Sequence, residues 1–442
     1  MSGTIINCDT IISLDNELGV LRNGAVCFER DTITDVGDSA ELKKEYPDCD
    51  VVNLKNSILT PGLINIHHHL YSSFARGWNP AVAPSNFPQI LEQIWWRLDE
   101  NLTEDDIYYS ALTGLIDSIR CGVTNVVDHH SSQGLIDGSL ELLENAFKQI
   151  GVRGSICFEI SDRLGKQKFI KGLNENIRTI KRLNKENGLL TGMCGMHASF
   201  TLSDESLDRI AADSADLNCG YHFHLLEDIS DREISEKVFG SSPMERFSKF
   251  QMLNEKSIVV HGVHLNEAEY HILRDSDIAL AHCPRSNMNN AVGNAILPDL
   301  IKENLNVGIG TDGMDSDVLA DTTTAMYLAK HSTSDFNTGF NEASDALLKS
   351  NGEIFKRITN QKVGKIKTGY KADFVLWDYN PPSEITDDNY AGHILFGLSN
   401  SPVDSVWING RRLLVEGQFL TIDENQIRSR CRELSKELWK RL

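Results

Sequence analysis

The stretch Thr60-Pro61-Gly62-Leu63-Ile64-Asn65-Ile66-His67-His68-His69 decides the fold. Its apolar residues predict a buried strand that passes a Pro-Gly turn and ends in three histidines. Because successive side chains of a strand point to opposite faces, His67 and His69 share one side and His68 points to the other. Two imidazoles on one side of a strand end can bind a single metal ion. A purification tag would stand in polar sequence at a terminus, so the stretch favours a metal site.

Length and composition limit the class of protein. The chain has 442 residues, of which 40% are hydrophobic and 24% charged, which is typical of a globular protein with a sizeable core. Its formal net charge of -20 disfavours nucleic acid and anionic membranes as partners. The sequence contains no apolar run of the roughly 20 residues that a membrane span needs, and its first residues do not resemble a signal peptide. The nine cysteines form no CxxC pair, which predicts reduced thiols and a cytoplasmic protein.

The two ends of the chain are rich in β-forming residues. Short strands are predicted at Thr4–Asn7, Gly24–Phe28, Thr32–Gly37, Ala372–Trp377, Val403–Ile408 and Leu413–Val415. Asn409-Gly410 is a strong hairpin turn, and a helix is predicted from Asp423 to Leu442. We predict that residues 1–58 and 363–442 combine into one small β-sandwich domain.

Between these ends, apolar strands alternate with amphipathic helices. Eight strands are predicted, at Ile58–Ile66, Gly122–Val127, Gly151–Phe158, Leu189–Met196, Gly220–Leu226, Ser257–Val263, Ile278–Ala281 and Asn306–Gly310. The predicted helices include Thr103–Arg120, Ser139–Gln149, Leu173–Asn187, Ser203–Leu217, Pro243–Leu253 and Asn266–Arg274. Eight strand–helix units over about 300 residues are typical of an α/β protein with a (β/α)8 TIM-type barrel, which we place at residues 59–362.

A long insertion, Leu70–Asp99, separates the first predicted strand from its helix. It is rich in tryptophan and proline, so it is either a lid or subunit contact at the mouth of the barrel or a plain surface loop.

Every predicted strand of the barrel ends in a titratable residue. In a barrel of this kind, the carboxyl ends of the strands carry the catalytic groups. The strand-end residues are, in order, His67 to His69, Asp128 with His129 and His130, Glu159, His197, His222 with His224 and Glu227, His261 with His264, His282, and Asp312. A single such histidine is commonly a satisfied core residue, but the agreement of eight strands indicates a shared site.

The predicted site has the ligands of a mononuclear metal centre. His67 and His69 supply two nitrogens, either His222 or His224 supplies a third, and Asp312 supplies an oxygen. Three histidines and a carboxylate suit one divalent ion, Zn2+ in the first place and Fe2+ as the alternative. No lysine stands at the end of the fourth strand to bridge a second metal. The metal would lower the pKa of a bound water toward ~7.

Two further residues suit proton transfer. Glu227 stands three residues after His224 and is either a proton shuttle or a salt-bridge partner at the start of a helix. His261 either polarises the group under attack or supports a neighbouring residue. His197 and His282 face the substrate or lie behind the site, and a structural role is at least as plausible for Glu159, His129, His130 and His264.

These residues resemble the amidohydrolase superfamily, in its mononuclear cytosine-deaminase and chlorohydrolase branch. The matching segments are Pro61–His69, His224–Glu227, Val260–Leu265, His282–Asn287 and Gly310–Gly313, and Gly369–Phe374 resembles the strand by which such chains return to their small β domain. Within the branch, the segments Trp95–Asp99, Asp128–Ser131 and Ser286–Asn290 are similar to the SsnA group of aminohydrolases. The resemblance runs nearly from end to end.

The resemblance implies a role for each matching residue. The metal ligands would be His67, His69, His224 and Asp312. Glu227 would be the proton shuttle, and His261 would contact the carbonyl or leaving group. Asp312 would also act as a base, and His197 would face the substrate.

The sequence departs from the family at two positions. His68 replaces a small or polar residue, and Arg285 stands where a small residue is common. An arginine at the rim could bind a carboxylate or a carbonyl-rich ring. We therefore predict substrate contacts for His197, Arg285 and His282.

The sequence predicts a metal-dependent amidohydrolase that cleaves a C–N bond of a small nitrogen-rich heterocycle, with deamination favoured. Ring opening or removal of a ring chlorine on the same fold is the alternative, as is a metal-binding barrel without turnover. The cytidine-deaminase zinc signature, H-x-E with P-C-x-x-C, is absent from the sequence. The family resemblance implies a homodimer.

Overall fold

A computed structural model describes residues 3–54, 57–81, 83–186 and 188–442. Residue 187, the predicted end of one helix, and residue 82, within the predicted insertion, lie outside these ranges. The strands, in chain order, are β1 (Thr4–Ile12), β2 (Val20–Glu29), β3 (Thr32–Asp38), β4 (Asp50–Asn53), β5 (Ile58–Pro61), β6 (Leu63–His69), β7 (Val123–His130), β8 (Arg153–Phe158), β9 (Leu190–Gly192), β10 (Cys194–Met196), β11 (Tyr221–Leu225), β12 (Ile258–His261), β13 (Ala279–His282), β14 (Asn306–Ile309), β15 (Asp312–Gly313), β16 (Phe374–Trp377), β17 (Val403–Ile408), β18 (Arg411–Val415) and β19 (Gln418–Phe419).

Helices follow most of the central strands. The α-helices are α1 (Ser39–Glu45), α2 (Phe87–Ile90), α3 (Trp96–Glu100), α4 (Glu104–Arg120), α5 (Ser139–Ile150), α6 (Lys166–Glu186), α7 (Asp204–Ser214), α8 (Ile229–Phe239), α9 (Pro243–Lys249), α10 (Glu267–Asp275), α11 (Pro284–Asn289), α12 (Leu297–Lys302), α13 (Val318–Thr333), α14 (Phe340–Asp345), α15 (Asn351–Thr359), α16 (Tyr390–Phe396) and α17 (Glu424–Arg441). Helix α10 begins with the predicted capping box, in which Asn266 and Glu269 bind each other's backbone N–H groups.

Both ends of the chain contribute to one nine-stranded sheet. Its order is β19-β18-β17-β16-β5-β1-β2-β3, and β4 pairs with β1. The predicted strands of both ends are present, and the hairpin at Asn409-Gly410 joins β17 to β18. The buried ion pair between Arg153 of β8 and Asp373 connects this sheet to the central strands, with Nε and Oδ2 3.0 Å apart.

The central strands form two parallel sheets of five strands each. One has the order β15-β6-β7-β8-β9, and the other has the order β10-β11-β12-β13-β14. A parallel bridge between Ile160 and Met196 connects the sheets on one side, and the Thr311 N–H donates to the carbonyl of His67 at 3.1 Å on the other. Strands such as β12 are buried along their whole length, as expected where helices cover a parallel sheet.

All eight predicted central strands are present, but two of them are divided. The predicted strand Ile58–Ile66 is two strands, because β5 pairs with β1 and β16 whereas β6 pairs with β7. Gly62 separates them, and a Cβ at this position would lie 1.9 Å from the Thr124 hydroxyl. The predicted strand Leu189–Met196 is divided at Met193 into β9 and β10, which belong to different sheets.

The insertion that we predicted as a loop is largely helical. Residues Leu70–Ala75 form a 3-10 turn, and residues 87 to 100 form α2, a π-helical turn at Leu91–Trp95, and α3. Phe87 and Leu91 are buried against Val292, and Trp95 and Trp96 pack at the edge of this cluster. The insertion thus covers the side of the molecule where the strands end.

Two further predictions concern the chain as a whole. Along the described residues, no helix is both long enough and apolar enough to cross a membrane. All nine cysteines, which the described ranges include, are free thiols.

Candidate metal centre

The histidines of β6 take alternate sides, as their spacing predicts. The rings of His67 and His69 lie edge to face, with centroids 4.7 Å apart. His68 is turned away from them and reaches the main-chain oxygen of Asp312 through Nδ1 at 2.6 Å. Strand alternation therefore leaves two imidazoles for one site and directs the third elsewhere.

Four buried side chains converge at this point. One ligand atom from each of His67, His69, His224 and Asp312 lies within 4.8 Å of the others. Oδ1 of Asp312 lies 3.0 Å from Nε2 of His69 and 3.5 Å from Nε2 of His67. Tetrahedral zinc with bonds of about 2.0–2.1 Å separates its ligand atoms by about 3.3 Å. The spacing therefore suits a single ion.

The hydrogen bonds of the rings leave lone pairs directed at the centre of this cluster. Nδ1 of His69 faces the carbonyl of His129 at 2.5 Å, and Nδ1 of His224 faces the carbonyl of His197 at 3.0 Å. A carbonyl only accepts, so both Nδ1 atoms carry the proton and both Nε2 atoms are free to bind a cation. Nε2 of His67 is buried and has no hydrogen-bond partner within the described ranges. This donor set fits a divalent metal.

Strand β11, the fifth strand of the predicted barrel, carries two histidines, and only one of them reaches the ligand cluster. His224 reaches the ligand cluster, with its Nε2 3.2 Å from Nε2 of His69. Nε2 of His222 instead lies 2.8 Å from Nδ1 of His67, on the buried side of that ring. The geometry therefore brings His224 among the ligand atoms and places His222 where it orients His67.

Glu227 and His261 lie next to the ligand cluster. Oε2 of Glu227 is 3.4 Å from Nε2 of His261, which lies 3.9 Å from Oδ2 of Asp312. The Asn290 amide donates to the other oxygen of Glu227 at 3.1 Å. Nδ1 of His261 lies 2.8 Å from Oδ1 of Asn287. A carboxyl group and an imidazole are thus held together beside the predicted metal position.

The charges in this group respond to burial and to one another. Burial raises the pKa of Glu227 to about 7. Burial also acts to raise the pKa of Asp312, but His67 and His69 outweigh it and hold that pKa well below its ordinary value. One carboxyl therefore exchanges a proton near neutral pH while its neighbour stays ionised, which separates an acid–base group from a charge-stabilising one.

A cavity of about 400 Å³ opens over the cluster. His69, His224, Glu227 and Asp312 line its floor, and aromatic residues of the insertion, including Trp96, line the wall. A volume of this size suits a small-molecule ligand. The insertion predicted as a lid or plain loop therefore forms part of the cavity.

The cavity lining includes a second group of polar residues. Glu159 and His197 line the cavity, and Oε2 of Glu159 is 3.4 Å from Nδ1 of His129. Asp99 of α3 also lines it and accepts hydrogen bonds from the Ser131 hydroxyl and the guanidinium of Arg163. Burial raises the pKa of Asp99 to about 7. Sequence analysis did not select Asp99, because it lies in the insertion and not at a strand end.

The other two predicted substrate contacts differ from His197 and from each other. Arg285 lines the cavity, but its guanidinium already faces two carboxylates, Asp315 at 2.8 Å and Asp321 at 3.5 Å. His282 is buried and does not belong to the cavity lining formed by the described residues. The structure thus brings Arg285 and His197 to the cavity and leaves His282 behind its wall.

The remaining strand-end residues have structural surroundings. Nε2 of His130 lies 2.9 Å from the Ser132 hydroxyl, and Nε2 of His264 lies 2.8 Å from the carbonyl of Val292. Oδ1 of Asp128 accepts the Leu70 N–H at 2.7 Å. These contacts agree with the structural alternative that the sequence left open for His130 and His264.

Helix α11 and Asn290, the residue that follows it, supply three contacts that sequence analysis did not assign. The Ser286 hydroxyl donates to Oδ2 of Asp312, and Asn287 and Asn290 bind His261 and Glu227. The signal was present in the segment Ser286–Asn290, whose polar residues begin four residues after the end of β13.

Comparison with known proteins identifies relatives that match nearly the whole chain. A sequence model of the Amidohydrolase family matches residues 58–413. A protein of Moorella thermoacetica named 5-methylthioadenosine/S-adenosylhomocysteine deaminase is 28% identical over 436 residues, which cover 97% of each chain. A zinc-bound adenosine deaminase from Xanthomonas campestris superposes with a TM-score of 0.87 at 21% identity, covering 99% of this chain and 98% of the other. The zinc complex of atrazine chlorohydrolase TrzN from Arthrobacter aurescens TC1 gives a TM-score of 0.83 at 20% identity, covering 98% and 100%.

Proposed function

This chain belongs to the amidohydrolase family, and we propose that it removes an amino group from a small nitrogen-rich heterocycle by metal-dependent hydrolysis. Family membership makes it a hydrolase of carbon–nitrogen bonds. The observation that carries the proposal is the position of Glu227, held between Asn290 and His261 and next to Asp312, on the floor of the cavity. Deamination is favoured because relatives over nearly the whole chain are named as deaminases.

We infer that residues 59–362 form a (β/α)8 barrel and that residues 1–58 and 363–442 form a β-sandwich domain. The two parallel sheets, with their links at Ile160–Met196 and His67–Thr311, support the barrel. The nine-stranded sheet built from both chain ends supports the second domain.

We propose that His67, His69, His224 and Asp312 hold one divalent ion, Zn2+ in the first place and Fe2+ as the alternative. The lone pairs of the three Nε2 atoms and the ionised carboxylate support this set. A divalent ion in this position would lower the pKa of a water molecule toward ~7 and so supply hydroxide at neutral pH.

The chain's own residues account for the proton transfers. Glu227, with a pKa raised to about 7, takes a proton from water and delivers it to the departing nitrogen. Nε2 of His261 lies 3.4 Å from Oε2 of Glu227 and 3.9 Å from Oδ2 of Asp312, which places the ring beside the atom on which negative charge develops. Asp312, kept ionised, acts as a base when water adds to the carbon.

We assign substrate contacts to His197 and Arg285 and a supporting position behind the wall to His282. His197 lines the cavity between Trp96 and His224, with ring centroids 6.0 Å and 5.6 Å away. Trp96 offers a flat apolar surface to a heterocycle. Because Arg285 already has two carboxylate partners, its free N–H groups suit a ring carbonyl better than a carboxylate.

Ring opening or removal of a ring chlorine is the second candidate reaction. The similarity of the fold to atrazine chlorohydrolase supports chlorine removal as a candidate reaction. In that reaction, chloride would leave from the place that the amino group occupies in deamination. We further infer a homodimer, on the family resemblance, and a cytoplasmic location, which the nine free thiols support.

The experiment is a substrate panel with the zinc-loaded protein. Aminated purines, pyrimidines and triazines, hydantoins and a chlorotriazine are incubated separately, and ammonia, chloride and ring absorbance are followed. Ammonia release from an aminated ring supports deamination. Loss of hydantoin without ammonia supports ring opening, and chloride release supports the chlorohydrolase. Metal that binds in one equivalent without any turnover supports the binding protein without catalysis.

A further inference from the structure

The middle histidine at the end of β6, His68, is almost completely buried and has three polar partners. Its Nδ1 lies 2.6 Å from the main-chain oxygen of Asp312 and 3.0 Å from the Thr311 hydroxyl. Its Nε2 faces the hydroxyl of Ser316 at 3.4 Å. Because a carbonyl only accepts, Nδ1 carries the proton and donates it to Asp312.

Asp312 has a backbone conformation that needs support. Its φ is +60°, in the left-handed region that non-glycine residues adopt infrequently. Met314, two residues later, has a φ of +71°. A residue held in this region persists where its surroundings determine it. The support comes from β6 and the turn that follows it, since Asp312 pairs with His68 in the sheet and the Met314 N–H donates to the hydroxyl of Ser72, in the 3-10 turn Leu70–Ala75, at 2.6 Å.

The two neighbouring histidines thus contact opposite ends of the same residue. His69 faces the carboxylate of Asp312, with Nε2 and Oδ1 3.0 Å apart. His68 faces the carbonyl of that residue from the other side of the strand. The alternation of β6 therefore fixes both the direction of the Asp312 side chain and the turn of its backbone.

We propose that His68 is a positioning residue, which fixes the Asp312 carboxylate at the metal centre through a hydrogen bond to the Asp312 carbonyl. The inference rests on the proposed function, in which Asp312 is a metal ligand. It gives a role to the departure of this sequence from the family at position 68, since a residue without a donor at the place of Nδ1 cannot make this hydrogen bond. Groups that orient a metal ligand typically change metal affinity by about 10–100-fold when removed.

The test compares two variants of similar polarity. In His68→Asn the side-chain amide takes the place of Nδ1, so it keeps a donor for the Asp312 carbonyl. In His68→Gln the amide lies one bond further out, near the place of Nε2, and the donor at Nδ1 is lost. The dissociation constant for Zn2+ is measured by competition with a chromogenic chelator, and the melting temperature of each metal-free protein is measured separately.

We expect His68→Asn to bind Zn2+ within a few-fold of the unaltered protein and His68→Gln to bind it about 10-fold or more weakly. His130→Gln is the control, since His130 is equally buried at the end of β7 but contacts the Ser132 hydroxyl instead. That variant should change the melting temperature without changing Zn2+ affinity.

Equal Zn2+ affinity in His68→Asn and His68→Gln overturns the inference. This holds even if both variant proteins melt at a lower temperature, because lower stability with unchanged Zn2+ affinity means that His68 has a structural role only. Asp312→Asn separates this failure from failure of the proposed function. If Asp312→Asn weakens Zn2+ binding while both His68 variants bind normally, only the positioning role is wrong. If Asp312→Asn also binds Zn2+ normally, the proposed ligand set itself is wrong.

Discussion

Nε2 of His69 and Nε2 of His224 lie 3.2 Å apart beside the carboxylate of Asp312. Each ring donates from Nδ1 to a main-chain carbonyl, so both Nε2 atoms point into the site. Burial acts to lower the pKa of His69, but Asp312 outweighs it and raises that pKa to about 9, so a proton occupies this position in the metal-free protein. We propose that a divalent ion takes the place of this proton, because its charge balances the carboxylate while its open positions bind both nitrogens.

His224 and His222 should differ in their effect on the metal. We expect His224→Ala to lose Zn2+ binding, because it removes a nitrogen of the proposed ligand set. His222→Ala removes only the ring that contacts Nδ1 of His67, so we expect Zn2+ affinity to fall about 10–100-fold. Equilibrium dialysis with metal analysis measures the Zn2+ affinity of both variants. A larger loss of affinity in His222→Ala than in His224→Ala would show that His222, and not His224, is the ligand from β11.

Glu227→Gln should abolish most of the turnover while leaving the metal in place. The amide keeps the hydrogen-bonding size of the side chain but cannot carry a proton, so we expect kcat to fall about 10²–10⁴-fold. Ammonia release and metal content are the two measurements. Glu236→Gln, an exposed position on α8, serves as the control. Turnover near the unaltered rate in Glu227→Gln would contradict the proton-shuttle role.

The same substitution should stabilise the metal-free protein in a pH-dependent way. Burial raises the pKa of Glu227 to about 7 from the ordinary value of 4.5, so between these pH values the folded state binds a proton that the unfolded chain has released. The free energy of unfolding therefore falls as pH rises, by up to about 3 kcal/mol in total.

We therefore expect Glu227→Gln to be more stable than the unaltered metal-free protein at pH 8 and equally stable near pH 4.5. Urea denaturation at the two pH values measures this difference. An equal gain in stability at both pH values would mean that altered packing, and not the ionisation of Glu227, causes the gain.

Asn290 should tune the acidity of Glu227. Its amide donates to Oε1 of Glu227 at 3.1 Å and thereby lowers the pKa of that carboxyl against the raising effect of burial. In Asn290→Ala we expect the part of the pH–rate profile that reports Glu227 to move to higher pH, with a lower kcat. Asn294→Ala, at a half-buried position outside the cavity lining that contacts the Ser332 hydroxyl, should leave the profile unchanged.

Arg285 combines a structural contact with a proposed substrate contact, and a double variant separates them. Burial raises the pKa of Asp321 well above its ordinary value, and Arg285 opposes this rise. Arg285→Met should therefore lower the melting temperature, and a second change, Asp321→Asn, should restore it by removing the unpaired buried acid. If Arg285 contacts the substrate, the double variant keeps a raised KM. A KM that recovers together with stability would leave Arg285 with the structural role alone.

The family, the α/β class and the group of converging histidines could be predicted because they depend on local patterns. Strand alternation in β6 separates His67 and His69 from His68, and each apolar run leads to its own titratable residue. These features depend on neighbours in the chain, so periodicity alone reveals them. Where two strands join without a polar break, as at Gly62 and Met193, the same reasoning merged elements that belong to different sheets.

Only the tertiary structure decided how deep each side chain lies and which other side chains it contacts. His222 and His224 have the same parity on β11, yet one contacts the ligand cluster and the other lies behind His67. Asp99, distant from every central strand in the sequence, reaches the cavity because the insertion is helical and folds over the strand ends. Spacing along a strand fixes the direction of a side chain, but its distance from other side chains depends on how remote segments pack. The sequence therefore determined which residues face the site, and packing determined which of them meet.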